Sequence, residues 1–323
     1  MMKKDVHIVF MGTPRFAVAS LEILLKNNYT ISGVVTTPDK PAGRGQKLRM
    51  SDVKEYALHH HLHILQPDNL KNPIFIKELI SLHADLFIVV AYRMLPEVVW
   101  RIPPLGTVNL HASLLPDYRG AAPINHAIIN GETVSGVTTF FIDNTIDTGN
   151  IILRKEVPVF PEETAGELHD RLMHTGAEVV LETVKILQQN AVVTFTQETF
   201  LQNDKNRKIA PKIFKENCKI NWNQDVNIVY NFIRGLSPYP AAFTELNSHE
   251  GEKFIIKIFR AEKITNKQIA TPGTVIVENN INLYLACTNG WLRITELQLS
   301  GKKKLSSADF LNGFSVNNLW TAF

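Results

Sequence analysis

The chain has 323 residues, 45% of them hydrophobic and 20% charged, a net charge of +3 and two cysteines, Cys218 and Cys287. This is an ordinary soluble globular composition; the cysteine usage argues against a disulfide scaffold and suits the cytoplasm. No apolar stretch approaches the roughly 18–20 residues of a membrane span, and the length favours two domains, because single cores rarely grow beyond about 250–300 residues.

In chain order, Val6–Phe10 is a short apolar, β-branched run that reaches Gly12 at once, so it reads as a first strand rather than a signal peptide. Arg15–Lys26 has helical spacing through Ala17, Leu21, Leu24 and Leu25, and Ile31–Thr36 is a second strand. Val53–His61 reads as a helix, with a short strand near Ile64, and Ile74–Leu82 as another helix. Asp85–Ala91 is nearly continuous apolar sequence, which suits a parallel strand covered on both faces. Thr107–His111 and Thr138–Ile142 are further strands. Thr164-Ala-Gly-Glu167 has the form of a capping box and opens a helix carrying Leu168, Leu172, Val180, Val184 and Leu187. Repeated strand–helix units predict an α/β domain with a doubly wound parallel sheet.

The pattern changes near residue 190. Val192–Gln197 leads into a polar, basic connector, Gln202–Lys208. Then come short alternating segments at Phe254–Phe259, Gly273–Val277, Leu283–Cys287 and Trp291–Leu297, which predict a small β-barrel. Charge changes too: residues 1–190 hold 18 Lys/Arg against 20 Asp/Glu, net −2, and the remainder 16 against 11, net +5. A basic module beside a mildly acidic one is consistent with an anionic partner such as nucleic acid, and equally with a solvated surface.

Gly12-Thr13-Pro14 sits where a nucleotide-binding turn would lie, but the sequence contains neither G-x-G-x-x-G nor G-x-x-x-x-G-K-[ST]. A tight strand-to-helix turn with Pro14 at its first turn explains it, and an NAD enzyme is disfavoured. The run His59-His60-His61-Leu62-His63 reads as a polar helix end, because nothing nearby completes a metal-ligand set. Trp222, Trp291 and Phe310 read as core aromatics before base-stacking ones.

The informative stretch is Val108-Asn109-Leu110-His111. Residues two apart on a strand share a face, so Asn109 and His111 point the same way where the strand runs out, and open α/β sheets place ligands there. Histidine is the usual proton carrier near neutral pH, and an Asn amide donates to a developing oxyanion. Phe141–Gly149 adds Asp143 and Asp147, and a carboxylate close to His111 would orient it.

Asn109-x-His111-x-Ser113-Leu114-Leu115-Pro116, followed by Arg119-Gly120-Ala121-Ala122-Pro123, resembles the signature of the folate-dependent formyltransferases. The resemblance implies a catalytic trio of Asn109, His111 and Asp147, the last in Asp147-Thr148-Gly149. It implies a folate site at Ser113, Leu114, Leu115 and Pro116, with a pterin pocket lined by Val90, Ala91, Tyr92, Ile142 and Asp143. The co-substrate would be 10-formyltetrahydrofolate, a reduced folate, attacked at its formyl carbon by an amine; no metal and no protein nucleophile are implied.

Several features resemble the branch of that family whose acceptor is initiator methionyl-tRNA. Thr37–Arg49 is similar to its insertion loop, with four basic residues in Lys40–Arg49 and no acid. Lys208–Trp222 resembles the entry to its C-terminal domain, and Ser237-Pro238-Tyr239-Pro240, Pro272-Gly273-Thr274 and Gly301-Lys302-Lys303-Lys304 match landmarks of it. The implied tRNA contacts are Arg44, Lys47, Arg49, Lys212 and Lys303. The expected organisation is a Rossmann-like catalytic domain over 1–190, a linker over 191–207 and an OB-like tRNA-binding domain over 208–323, in a cytoplasmic monomer without membrane contact. Arg93-Met94 departs from the glycine common after Ala91-Tyr92, and Tyr92-Arg93 resembles the sugar-nucleotide N-formyltransferases, the alternative reading.

Overall fold

The computed structural model describes residues 5–42, 47–201, 207–264 and 266–323. It divides into two compact units, one of residues 1–120, 135–157 and 169–209, the other of 121–134, 158–168 and 210–323.

In the first unit, seven strands among the described residues form one sheet. Their order is Ile151–Pro158, Val134–Phe141, Thr107–His111, Leu86–Val90, His7–Gly12, Thr30–Val35 and Ile64–Leu65. The last five pair in parallel, and Val134–Phe141 runs antiparallel to Thr107–His111. Leu86–Val90 is buried at every residue, as its unbroken apolar run requires of a central parallel strand. The helix Arg15–Lys26 follows the first strand at once. Pro14 precedes it without a side-chain cap, and its carbonyl accepts from Ala17 N–H at 2.9 Å. Beyond residue 190, Phe195 exchanges both backbone hydrogen bonds with Ile151, and Gln197–Phe200 forms a 3-10 turn.

The second unit holds an antiparallel sheet ordered Val275–Glu278, Asn282–Ala286, Trp291–Leu299, Lys253–Ile264, Ala242–Asn247 and Thr321–Ala322, with Leu305–Ser306 paired to Trp291–Leu299. Its two edges meet: Thr274 bridges Thr321, and Ala322 N–H donates to Gly273 O at 2.8 Å, so the sheet closes toward a barrel. Gly273 has a φ of +84°, and a Cβ there would lie 2.3 Å from Ala322 O, so closure at this point needs glycine. The barrel core includes Trp222, Leu246, Ile258, Leu285 and Phe310. Trp222 Nε1–H donates to Thr244 Oγ1 at 2.9 Å, satisfying the one polar atom of a buried indole. Trp291 is 1% exposed with its own indole N–H bonded to Gln268 O, so these aromatics are structural. The helix Val226–Leu236 is capped by Asp225, whose carboxylate accepts from Asn227 N–H at 2.7 Å.

The helix Ala165–Gln188 starts on the expected capping box. Thr164 N–H and Oγ1 each donate to Glu167 Oε2 at 2.8 Å, and Glu167 N–H donates back to Thr164 Oγ1 at 3.3 Å. His59 ends the helix Asp52–His59, and the His60 ring stacks on Tyr56, which is the polar helix end expected.

Candidate active site

Thr107–His111 is a strand over the predicted residues, with Val89 beside Asn109 on one side and Phe140 on the other. Asn109 is half-buried and His111 is buried. His111 Nε2 lies 2.8 Å from Tyr118 O. A carbonyl only accepts, so Nε2 carries the hydrogen, and Nδ1 is the ring nitrogen left to exchange a proton. Asp147 Oδ2 lies 3.9 Å from that Nδ1, close enough for a charge pair and too long for a hydrogen bond. The two side chains are 8% and 13% exposed, so water screens the pair little.

Asp147 sits in the loop after Val134–Phe141 with a φ of +56°, a left-handed conformation that Asp tolerates better than most residues. Its Oδ2 accepts from Gly120 N–H at 3.0 Å. Gln197 Nε2 donates to Asp147 O at 2.9 Å and to Gly149 O at 3.0 Å. The Gln197 Oε1 accepts from Arg119 Nε at 3.1 Å and Nη2 at 2.6 Å. Burial and the neighbouring Arg207 push the Arg119 pKa down, opposed by Glu198, Asp147 and Asp143. A Cβ at Gly149 would lie 1.7 Å from Phe141 O, so the loop's return also needs glycine. The remaining loop acid, Asp143, is engaged locally: its Oδ1 accepts from Thr145 N–H at 2.9 Å and Thr148 Oγ1 at 2.8 Å.

The Ser113–Pro116 segment is held from the neighbouring strand. Thr138 Oγ1 donates to Ser113 O at 2.7 Å and accepts from Leu115 N–H at 3.1 Å, while Ser113 Oγ donates to Asp117 O at 2.7 Å. The Leu115–Pro116 peptide is cis, and Leu115 packs with Phe140 and Ile151. Val90 ends its strand beside Leu110, and Ala91 turns the chain with a φ of +47°. Tyr92 and Ile142 pack on one cluster that includes Val89, Leu95 and Val99. Burial raises the Tyr92 phenol pKa, opposed by the Arg93 guanidinium beside it. Arg93 itself donates to Asp68 O at 2.8 Å and to Pro67 O, tying the strand end to the segment after Ile64–Leu65.

Of the expected RNA contacts, Arg44 lies outside the described residues, and Lys47 is described only as backbone in the strand Lys47–Arg49, paired with Lys40–Ala42. Arg49, Lys212 and Lys303 are exposed, and Lys212 Nζ stands 5.3 Å from the Phe214 ring centroid. Sequence reasoning missed Thr138 and Gln197. Thr138 carries a weak signal, lying on a strand beside His111; Gln197 carries none, because its partners are backbone carbonyls and one distant arginine.

Residues 6–184 match the family profile described as Formyl transferase, and residues 212–315 match Formyl transferase, C-terminal domain. The methionyl-tRNA formyltransferase of Bacteroides fragilis is 51% identical over 316 residues, covering 98% of this chain and 97% of that protein. That of Flavobacterium johnsoniae is 51% identical over 315 residues, with 98% of each covered. A crystal structure of a sugar 3N-formyl transferase in the presence of dTDP and 5-N-formyl-THF shares the fold with a TM-score of 0.63, at 22% identity, over 93% of this chain and all of that one. HypX from Aquifex aeolicus in complex with tetrahydrofolic acid aligns with a TM-score of 0.64, at 19% identity, over 98% of this chain and 49% of that one. The sugar enzyme's likeness is therefore one of fold, whereas half of all positions are shared with the tRNA enzymes. The chain belongs to the methionyl-tRNA formyltransferase family.

Proposed function

We propose that the protein moves the formyl group of 10-formyltetrahydrofolate onto the free α-amino group of methionyl-initiator tRNA, in the cytoplasm, for translation initiation. The observation that carries this reading is the buried His111–Asp147 pair, 3.9 Å apart, at the strand end that also bears Asn109, in a chain half identical to methionyl-tRNA formyltransferases. The folate would lie along Ser113–Pro116, with its pterin against Val90, Ala91, Tyr92, Ile142 and Asp143. Such a set would make an apolar slot with polar groups at its mouth, suited to a flat heterocycle.

The amine's lone pair attacks the formyl carbon and a C–N bond forms. Asn109 donates its amide N–H to the oxyanion, and His111, protonated at Nδ1, adds a second donor. The 3.9 Å gap leaves Nδ1–H free to turn toward the reacting group while Asp147 supports its charge. Collapse breaks the bond between the formyl carbon and N10 of the folate. N10 keeps the electron pair and takes the Nδ1 proton of His111, and the proton shed by the attacking nitrogen passes to the imidazole so freed or to water, assisted by Asp147. The RNA contacts are assigned to Arg44, Lys47, Arg49, Lys212 and Lys303, the catalytic work to 1–190 and RNA binding to 208–323, joined by 191–207, in a monomer.

The test is acceptor choice. Purified protein with 10-formyltetrahydrofolate should yield formyl-methionyl-tRNA from charged initiator tRNA. Formylation of an amino-sugar nucleotide with none of the tRNA would overturn the proposal.

A further inference from the structure

Asp147 is held in a left-handed conformation, and a non-glycine residue keeps such a φ only where its surroundings over-determine it. Three hydrogen bonds form a closed ring there. Gly120 N–H grips the Asp147 carboxylate, Gln197 grips the Asp147 carbonyl, and Arg119, the neighbour of Gly120, grips Gln197. Gln197 is 1% exposed, and its amide has one possible orientation: a guanidinium only donates, so it faces Oε1, and the carbonyls of Asp147 and Gly149 only accept, so they face Nε2. Both amide hydrogens and the amide oxygen are used. The same segment reaches the other partner, because Tyr118 O holds His111 Nε2. Residues 118–120 therefore fix the imidazole and the carboxylate together, and Gln197 locks the second to the first.

We infer that Gln197 is a positioning residue for the reaction, holding the Asp147 carboxylate at its working distance from His111; this rests on the role proposed for Asp147. The amide is required because no other side chain of that length donates to two carbonyls while accepting from a guanidinium. Glu keeps the Arg119 contact and loses both donors. Ala loses all of them and leaves two carbonyls and the half-buried Arg119 without the amide that joins them.

The experiment is a double-mutant cycle in single-turnover formylation, with Q197A, Q197E, D147N and the two double variants, alongside tetrahydrofolate binding by fluorescence and thermal unfolding. Misplacing a catalytic group by about 1 Å costs on the order of 100-fold, so Q197A and Q197E should each lose about 10- to 100-fold in rate with folate affinity unchanged. Q197E retains the Arg119 contact but turns a carboxylate oxygen toward both carbonyls, and Q197A removes the side chain, so the two fail in different ways and whichever variant folds carries the test. In the D147N background either Gln197 substitution should add no further loss. Wild-type rate in Q197E, or the same fractional loss with and without D147N, overturns the inference alone. Wild-type rate in D147N overturns the assignment of Asp147, and the inference with it.

Discussion

Asn109 and His111 share a strand face but are fixed differently. His111 is anchored through Nε2 to a carbonyl and faces Asp147, while Asn109 is held by the strand and its flanking partners Val89 and Phe140. Removing an oxyanion donor typically costs 100- to 1,000-fold in turnover. Asn109→Ala should therefore lower kcat about 100-fold with little change in the KM for folate; steady-state kinetics returning a normal kcat would remove Asn109 from the oxyanion site. The two strand residues were legible because a period of two follows from extended backbone alone. Asp147 was legible as chemistry but not as geometry, since its approach to His111 depends on a loop whose path is set by Gly149, Gly120 and Gln197. Gln197 was invisible: an isolated glutamine in a polar stretch has no pattern that tells a buried bracket from a solvated side chain.

At the scale of elements, the capping box is where sequence and structure agree most closely, because its hydrogen bonds join residues three apart. Burial alone would push the Glu167 carboxyl up, but Thr164 and the Arg260 guanidinium outweigh it and hold the group below the usual carboxylate range. A carboxyl lowered in the folded state stabilises above its unfolded pKa, and that contribution is lost as pH falls through the folded value. Thr164→Ala should cost about 1 kcal/mol of stability. Glu167→Gln should flatten the acid side of the Tm–pH curve; an unchanged acid limb would contradict the cap's electrostatic part. Thr107–His111 and Arg15–Lys26 have the expected bounds because apolar spacing is complete in both. Ile151–Pro158 gives no such signal: Arg154, Lys155 and Glu156 interrupt it, as suits a strand at the edge of its sheet. Antiparallel pairing at Val134–Phe141 is likewise absent from the local pattern, because strand direction is decided by the connection and not by composition.

For the whole molecule, the change of pattern near residue 190 and the short strands beyond it announced a second architecture, and the barrel bears this out. The residues that close it were not legible, since Thr274 and Thr321 meet only when all the intervening strands have paired. Helix Pro123–Ile129 falls in the second unit although it lies early in the sequence, because contact and chain order are independent. The RNA contacts proposed lie on both sides of residue 190. Five phosphate contacts on a single strand would weaken tRNA binding roughly 100-fold across a fourfold rise in salt, whereas tetrahydrofolate binding should change little. Filter binding with a salt-independent tRNA affinity would contradict the assigned contacts. Formyl transfer to methionyl-tRNA is proposed to run through His111. Its most direct test is the single-turnover rate of formyl-methionyl-tRNA formation by His111→Ala with both substrates saturating and folate occupancy measured in the same sample. Full occupancy and a rate lower by about 100-fold or more are expected; a rate within a few fold of wild type at full occupancy would remove His111 from the reaction.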